Sequence, residues 1–469
     1  MRCLMFICLL LGAPSSFALD RTQVEGYLLP NGLQVLLKPG YERDHVSIRL
    51  VVGIGFDDFP CARQELPHLL EHLLFSGIDD TGEGGLEERM QALGGEWNAY
   101  TSSADTTFVI EAPARNQRKV LDLLLAVLQD TRIDANALQV SKSIVEREDG
   151  GHYTHLQRWL DRQDLGHRAS DQLAVELGLK CAERSSVQDM TLEEVNELRQ
   201  HWYAPNNMSL IVVGGLDRVL PAYLERTWGQ LEPVEPGERR VLDGVTHKAQ
   251  ARRELIRGWL GDSARLHWMF LEPVLDENHD ATYDLLQRYL DWALYRELRL
   301  QHSLSYGPSA QRERFGDTGL LSLNADLDSD QVEAAEQILG QMIERLRKDG
   351  LDRATFERIK AAAIAREAWT SQGNSALADY YWGALNDYAD GRVGEAKTRL
   401  REVSLEDADA ALQALFAEPG YVRVEKPLLG YDQLYGLGAL GLGLVFAALL
   451  LWRRRRDRAI TDTRKQRIL

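Results

Sequence analysis

The chain has 469 residues, more than one hydrophobic core normally organises, so we expect two or three domains. Its composition, 44% hydrophobic and 27% charged, places it in the globular class. The net charge of −17 argues against binding to nucleic acid and favours basic or neutral peptides as ligands.

The N-terminal residues 1–18 have the pattern of a signal peptide. Arg2 precedes an apolar run over residues 3–11, and Ser16-Phe17-Ala18 is the small-x-small pattern after which signal peptidases cut. A buried first helix or an uncleaved anchor is the alternative, but the apolar run is short and Pro14 would interrupt a longer helix. We therefore expect export and a mature chain that begins at Leu19.

Cleavage there removes two of the four cysteines and leaves Cys61 and Cys181. Two cysteines are too few for a scaffold built on disulfides. The sequence leaves open whether these two pair with each other.

Short strands and helices are mixed over residues 19–235, the first predicted domain. Leu29-Pro-Asn-Gly-Leu33 is typical of a turn between strands. Alternating or wholly apolar runs predict strands, and leucines at helical spacing predict a helix after the third strand region. The predicted strands are 34–37, 46–52, 96–112 and 208–213, and the predicted helix is 117–130.

Pro and Gly cluster within residues 232–254, which makes this stretch the best linker candidate before a second predicted domain, residues 236–425. Strands are predicted at 266–271 and 319–325, and a helix at 332–346 ends before Gly350. Another helix is predicted from an apolar stripe of Leu286, Tyr289, Leu290, Ala293 and Leu294. Both halves thus suggest a duplicated α+β unit.

Residues 434–452 contain no charged residue and predict a transmembrane helix. Nineteen residues at 1.5 Å each span ~28 Å, close to the thickness of a bilayer core. Four arginines at 453–456 come directly after it, which predicts a cytoplasmic tail over 453–469 and a preceding chain outside the cytoplasm. Glycines at 436, 438, 441 and 443 are common in membrane helices and argue against a soluble core helix.

The pentapeptide His68-Leu-Leu-Glu71-His72 carries the clearest chemical signal. On a helix its His and Glu positions share one face, so both imidazoles and the carboxylate project toward a common point. Two neutral His nitrogens suit Zn²⁺, and a carboxylate beside the open coordination position can take a proton from an attacking water. The alternative is an amphipathic helix whose His residues only border the core.

The sequence around the pentapeptide favours the metal site. The relevant stretches are Glu65-Leu-Pro-His-Leu-Leu-Glu-His-Leu-Leu-Phe-Ser-Gly77, Gly94-Gly-Glu-Trp-Asn-Ala-Tyr-Thr-Ser102 and His201-Trp-Tyr-Ala-Pro-Asn-Asn-Met208. They resemble the pitrilysin and insulysin family of inverzincin metallopeptidases, which includes the mitochondrial processing peptidase. The resemblance covers most of the first half and, more weakly, the second. It implies an α+β fold of two homologous α/β-roll domains, each an antiparallel sheet flanked by helices, of which 19–235 is catalytic and 236–425 inactive.

The resemblance also implies roles for particular residues. His68 and His72 match the family's zinc ligands, and Glu71 matches its general base. Ile144-Val-Glu-Arg-Glu148 is similar to the segment that supplies the third ligand, which selects Glu148, with Glu146 as the alternative. On a helix these two carboxylates are about 200° apart, so only one can face the His pair. Ser141 departs from the family, which often has a supporting acidic residue there.

Two further pairs are implied as substrate contacts. Residues 96–102 resemble the family's edge strand, on which substrate adds as an extra strand, with Asn98 and Ala99 beside the scissile bond. An ordinary interior strand is the alternative. Arg299 and Tyr306 resemble a family pair that reaches the substrate, although Ser303 replaces the usual Gly. The alternative, without the resemblance, is that Arg299 is a solvated charge on a helix and Tyr306 is an aromatic residue at the edge of the core.

These observations predict a zinc-dependent endopeptidase that acts on peptides or unfolded segments, anchored in the inner membrane with its peptidase region in the periplasm. Family members enclose substrate between two double-domain halves, and this chain supplies one half, so the resemblance implies a homodimer or a heterodimer with a related chain. Two alternatives stay open: an inactive peptide-binding or partner subunit of the same family, and a membrane-anchored chaperone or receptor that needs no metal. The sequence does not identify the substrate.

Overall fold

Two β-sheets with helices on both faces organise the protein. The computed structural model describes residues 20–75, 77, 82–148, 168–181, 185–235, 237, 244–274, 279–367, 369–389 and 392–466. The chain divides into two compact units: unit 1 has residues 1–145, 185–240 and 367–395, and unit 2 has residues 146–184, 241–366 and 396–469. The predicted signal peptide 1–18 lies outside the described residues, and so does residue 236, at the predicted domain boundary.

The elements are numbered in chain order. The strands are β1 (Glu25–Leu28), β2 (Gln34–Pro39), β3 (His45–Val52), β4 (Glu96–Thr101), β5 (Thr106–Pro113), β6 (Met208–Gly214), β7 (Arg252–Ile256), β8 (Ser263–Glu272), β9 (Ser309–Phe315), β10 (Thr318–Asp328), β11 (Tyr388–Ala389), β12 (Arg392–Val393) and β13 (Tyr421–Lys426). The helices are α1 (Leu66–Phe75), α2 (Gly82–Ala92), α3 (Gln117–Asp130), α4 (Ala135–Glu148), α5 (Ala169–Leu177), α6 (Leu192–Trp202), α7 (Leu220–Arg226), α8 (His279–Leu294), α9 (Val332–Asp349), α10 (Arg353–Glu367), α11 (Asn374–Gly383), α12 (Ala396–Glu402), α13 (Leu405–Leu415) and α14 (Tyr431–Gln466).

The main sheet of unit 1 has the strand order β1-β2-β6-β3-β5-β4. Its neighbours pair antiparallel except β2 and β6, which are parallel. The expectation of a purely antiparallel sheet is therefore wrong, because β6 returns after a long helical connection and enters beside β2 in the same direction. The predicted strand region 96–112 is a hairpin of β4 and β5, and β4 lies at the edge of the sheet.

Both faces of this sheet are covered, which explains why β3 is buried almost throughout. Ile48 and Leu50 pack into the larger core with helices α1 and α3, whereas Val51 packs on the opposite face with Leu377 and Tyr381 of α11. Burial on both faces favours the Val, Ile and Leu residues of β3, and the polar residues among them, Ser47 and Arg49, are buried too.

Unit 2 repeats this arrangement with its own strands. Its sheet has the order β7-β13-β8-β10-β9, which matches β2-β6-β3-β5-β4, and its one parallel pair, β7 with β13, matches β2 with β6. Helix α8 packs on one face and α5 on the other. The same strand order and the same parallel pair in both units support the duplication that the sequence suggested only faintly.

Within the residues that the structure describes, each unit contains a helix from the other half of the sequence, anchored by a buried arginine. In unit 1, fully buried Arg49 of β3 pairs with Asp379 of α11 at 2.8 Å and with Glu111 at 3.1 Å. In unit 2, fully buried Arg423 of β13 pairs with Glu176 of α5 at 2.7 Å. A buried guanidinium needs such partners, so these pairs hold the exchanged helices in place. The two domains predicted from sequence, 19–235 and 236–425, are single continuous ranges, so they do not include this exchange of helices between the halves.

Helix α14 includes the predicted span 434–452. Its stretch Tyr431–Arg456 has a mean hydropathy of 2.2 over its most apolar window, and that window is wholly exposed. The helix is thus long and apolar enough to cross a membrane, and unlike a core helix it has no buried residue in its apolar window.

Candidate metal centre

Helix α1 carries the His and Glu residues of the pentapeptide. Its leucines at 66, 69, 70, 73 and 74 have the spacing of an amphipathic helix, and all are buried. Burial of this face fixes the rotation of α1, so the packing sets the positions of His68 and His72. Glu71 is buried as well, between the leucine face and the His pair.

The two imidazoles face each other through the same ring nitrogen. His68 Nε2 and His72 Nε2 lie 3.2 Å apart. Two nitrogens bound to one tetrahedral Zn²⁺ at 2.0–2.1 Å lie about 3.3–3.4 Å apart, so the pair already has the spacing of two ligands. This agreement favours the metal site over a helix whose His residues only border the core.

A third donor comes from the last residue of α4. The ligand atoms of His68, His72 and Glu148 all lie within 4.8 Å of one another. Val145 is buried and Ile144 is half-buried. Glu146 and Glu148 are both exposed, and of these two only Glu148 belongs to the group. The arrangement matches the alternative in which Glu148 faces the His pair. Two imidazoles and one carboxylate form a donor set that suits zinc and leaves a coordination position open.

Glu65 supports the first of the two His residues. Its Oε2 accepts a hydrogen bond from His68 Nδ1 at 2.9 Å, and its side chain is only 2% exposed. A proton held on Nδ1 leaves Nε2 with the lone pair that a metal requires. Glu65, the residue before α1, therefore supplies a buried carboxylate partner to the centre.

Glu71 has a hydrogen-bond partner on the edge strand. Thr101 Oγ1, at the end of β4, donates to Glu71 Oε2 at 2.6 Å. Burial raises the pKa of Tyr203 well above its usual range, and the nearby charge of Glu71 adds to the shift. Tyr203 therefore stays protonated beside the carboxylate.

The edge strand presents its two candidate residues differently. Ala99 is buried on the side of β4 that faces α1, whereas Asn98 is exposed on the other side. The Ala99 N–H donates to Asn98 Oδ1 at 2.9 Å, so it turns away from β5 toward the open edge. Asn98 Nδ2 also donates to Tyr100 Oη at 2.9 Å. The alternative of an interior strand is wrong.

Arg299 and Tyr306 lie in unit 2 and contact each other. Arg299 donates to the Tyr306 carbonyl at 2.8 Å, and its guanidinium lies 4.2 Å from the centre of the Tyr306 ring, which is 83% exposed. Tyr306 is therefore a surface aromatic and not a core-edge one. Ser303, between them, has φ 52°, the left-handed region that favours glycine.

Arg299 belongs to a π-helical segment, Tyr295–Gln301, directly after α8. Buried Glu297 pairs with Arg345 at 2.8 Å and with Arg296 at 3.0 Å. Burial alone would raise the pKa of Glu297, but these two arginines hold it below its usual range.

Three residues at the centre were missed from sequence: Glu65, Thr101 and Tyr203. Glu65 stands three positions before His68, a spacing that shares a helical face, and this signal could have found it. Thr101 and Tyr203 lie within quoted stretches, but only tertiary contact relates them to Glu71.

Two family models match the chain in order. The one described as Insulinase (Peptidase family M16) matches residues 34–160, and the one described as Peptidase M16 inactive domain matches residues 189–363. The chain belongs to peptidase family M16. The resemblance to the pitrilysin and insulysin family is thereby confirmed.

Relatives of this M16 chain include proteins named as proteases and one that is not. YmxG of Bacillus subtilis, an uncharacterized zinc protease, is 20% identical over 72% of this chain and 82% of its own length. Cytochrome b-c1 complex subunit 1 of Caenorhabditis elegans is 25% identical over 48% of this chain. The probable zinc protease PqqL of Haemophilus influenzae is 26% identical over 58% of it. The chain spans only 47% and 30% of the latter two proteins.

Solved structures share the fold. A protease from Helicobacter pylori matches with a TM-score of 0.67 and 16% identity, over 87% of this chain and 100% of that one. The periplasmic protease PqqL from Escherichia coli matches with a TM-score of 0.70 and 17% identity, over 87% of this chain and 47% of that one. The expected two-domain architecture of mixed helices and sheets is confirmed.

Proposed function

We propose that this protein is a zinc-dependent endopeptidase that hydrolyses peptides or unfolded protein segments outside the cytoplasm. His68, His72 and Glu148 would hold the zinc, and Glu71 would act as general base. The observation that carries the proposal is the convergence within 4.8 Å of two imidazole nitrogens from α1, the helix that also presents Glu71, and one carboxylate oxygen from the end of α4. Membership of a family with relatives named zinc proteases supports it.

The chain's own residues supply the proton transfers. Zinc, when bound, contributes Lewis acidity toward the scissile carbonyl and the attacking water. Glu71 accepts the proton of that water and delivers it to the leaving amine. The Thr101 hydroxyl donates to Oε2 of Glu71 and so orients the carboxylate for this transfer. Burial of the carboxylate limits competition from bulk water.

Substrate would add to β4 as a further strand. The outward Ala99 N–H now donates to Asn98 Oδ1, and a substrate carbonyl can replace that acceptor. Thr101 lies two residues along the same strand and contacts the base, so a peptide paired with β4 would pass Glu71. Arg299 and exposed Tyr306 stay proposed as further substrate contacts from unit 2.

The test is Glu71→Gln in the full chain purified in detergent, with Glu146→Gln as a matched control on an exposed carboxylate. The amide keeps the shape of Glu71 but cannot accept the proton, so zinc content should be retained while cleavage of a quenched peptide falls about 10²–10⁴-fold. Undiminished cleavage by Glu71→Gln, with the control also at wild-type rate, would reject the mechanism.

A second candidate is an inactive peptide-binding or partner subunit. It is favoured by the relative named as a subunit of the cytochrome b-c1 complex. The same assay separates the two candidates: wild-type protein that binds zinc yet cleaves no member of a diverse peptide library is the result expected of the inactive subunit. A protein that binds peptides without any metal would instead fit a chaperone or receptor.

We further propose that α14 anchors the protein in the inner membrane with the peptidase region in the periplasm. The exposed apolar stretch Tyr431–Arg456 and the arginines at its end support this topology. Protease added to spheroplasts should degrade the peptidase region and leave the tail after residue 453 intact. A tail cleaved from outside would overturn the topology.

The protein is also proposed to act as a dimer, either of two identical chains or with a related chain. The chain covers 47% of E. coli PqqL, so it corresponds in length to about half of that protein. Mass measurement of the detergent-solubilised full chain, purified without overexpression of a partner, tests this; a single chain that is fully active would contradict it.

A further inference from the structure

Five apolar side chains stand exposed where unit 2 meets the start of α14. Each is between 41% and 44% exposed, which is unusual for large apolar residues gathered in one place. We call them the loop cluster: Ile256, Trp259, Leu260, Leu428 and Tyr431. The first three lie at the end of β7 and in the loop before β8, and the other two lie just before and at the first residue of α14.

Hydrogen bonds fasten this loop to the chain that leads into α14. Leu260 forms an isolated parallel bridge with Leu429, and the Asp262 carboxylate accepts the Tyr431 N–H at 2.9 Å. Four main-chain bonds of 2.8–3.1 Å complete the attachment: Arg257 N–H to Lys426, Leu428 N–H to Gly258, Leu429 N–H to Trp259 and Gly261 N–H to Leu429. The position of Trp259 is therefore set by the position of the helix start.

The chemistry of the loop cluster matches the boundary of a bilayer. Trp and Tyr are favoured at the headgroup level, where an apolar ring and one polar atom are both satisfied, and the two leucines and the isoleucine would enter just below. Two adjacent cations are paired with carboxylates: Arg257 with buried Glu425 at 2.7 Å and Lys426 with Glu254 at 3.3 Å. The loop cluster is also continuous with the exposed apolar stretch that begins at Tyr431.

We propose that the loop cluster is a second membrane contact, which lies in the interfacial layer of the leaflet that α14 enters from the peptidase side. A single helix leaves a domain free to rotate and tilt, whereas a second point of contact fixes unit 2 at one orientation to the lipid surface. The inference rests on the proposed anchoring by α14 and is independent of the proposed peptidase activity.

The test is lipid photocrosslinking of the full chain in vesicles of phosphatidylethanolamine and phosphatidylglycerol. A benzophenone amino acid replaces one exposed residue at a time: Trp259 in the loop cluster, Leu444 within α14, or Asp317. Asp317 lies in the β9–β10 turn, beyond the Glu272 end of β8, whereas the loop precedes its Ser263 end. The ten-residue strand separates the two by about 30 Å.

Lipid adducts at positions 259 and 444, with none above background at 317, are the expected result. An adduct at 444 together with equal labelling at 259 and 317 would overturn the second contact and leave the anchor standing. Absence of an adduct at position 444 would show that α14 does not enter the bilayer, and this would refute both the anchor and the second contact. None of these outcomes depends on zinc or on peptide cleavage.

Discussion

Replacement of Glu65 tests how the metal centre is built. Glu65→Gln keeps the size of the side chain and an oxygen that can accept the His68 Nδ1 proton, but removes the negative charge. The metal position lies about 7 Å from Oε2, counting the 2.9 Å hydrogen bond, the imidazole ring and a Zn–N bond of about 2.0 Å. A dication and a carboxylate at that distance attract by about 1–5 kcal/mol for effective dielectric constants between 80 and 20.

Losses of 10–100-fold in metal affinity are typical when such a partner of a ligating His is changed, which is about 1.4–2.7 kcal/mol. We expect Glu65→Gln to weaken zinc binding about tenfold, near the lower bound, because the amide oxygen still orients the ring. Competition with a chromophoric chelator at neutral pH measures the affinity.

The stability of the metal-free protein separates positioning from a structural role. A buried carboxylate costs free energy that a neutral amide of the same shape does not, so the metal-free Glu65→Gln variant should melt no lower than wild type. Glu425→Gln is the matched control, since it too changes a buried carboxylate near an imidazole, His267 at 3.8 Å, but in unit 2. Wild-type zinc affinity in Glu65→Gln, or an equal loss in the control, would refute the reasoning.

Single side chains give three further predictions. Glu148→Ala should strip zinc and abolish cleavage, whereas Glu146→Ala should leave both largely intact; the reverse pattern of metal content transfers the role of third ligand to Glu146. Ser303→Gly should raise the free energy of unfolding by about 0.5–1 kcal/mol in urea titrations, because φ 52° strains a residue with a Cβ; a lower midpoint contradicts this. Ionised Glu297 stabilises the folded protein above about pH 4.3, which is the pKa of a Glu side chain in the unfolded chain. This stabilisation is lost as the pH falls through the lower pKa that Glu297 has in the folded protein. In the Glu297→Gln variant the urea midpoint of unfolding should therefore decrease less between about pH 5 and pH 2 than in the wild type. An equal decrease in both proteins would count against this prediction.

The elements were predictable wherever local periodicity reflects burial. The leucine spacing of α3 and α8 and the apolar runs of β3 and β6 led to correct assignments, since a helix face or a strand in a covered sheet requires those residues. Strand direction was not predictable in the same way. Strand β6 pairs parallel to β2 because of the path taken by the connection of more than ninety residues between β5 and β6. The residues of β2 and β6 themselves do not indicate this direction.

The exchanged helices show the same limit. Arg49 and Arg423 are charged residues within apolar strands, which indicates a buried partner, but the sequence does not say that the partners lie in α11 and α5. Those helices are more than a hundred residues away along the chain, and only the folded sheets bring them into contact.

At the candidate centre, sequence alone determined the part that one helix encodes. Positions i, i+3 and i+4 share a face, so His68, Glu71 and His72 were assigned together without any tertiary information. Tertiary structure decided which carboxylate approaches them, that Thr101 holds Glu71, and that β4 has an open edge. These are contacts between elements distant in sequence, and they depend on the packing of α1 against α4 and β4, which no local pattern of residues specifies.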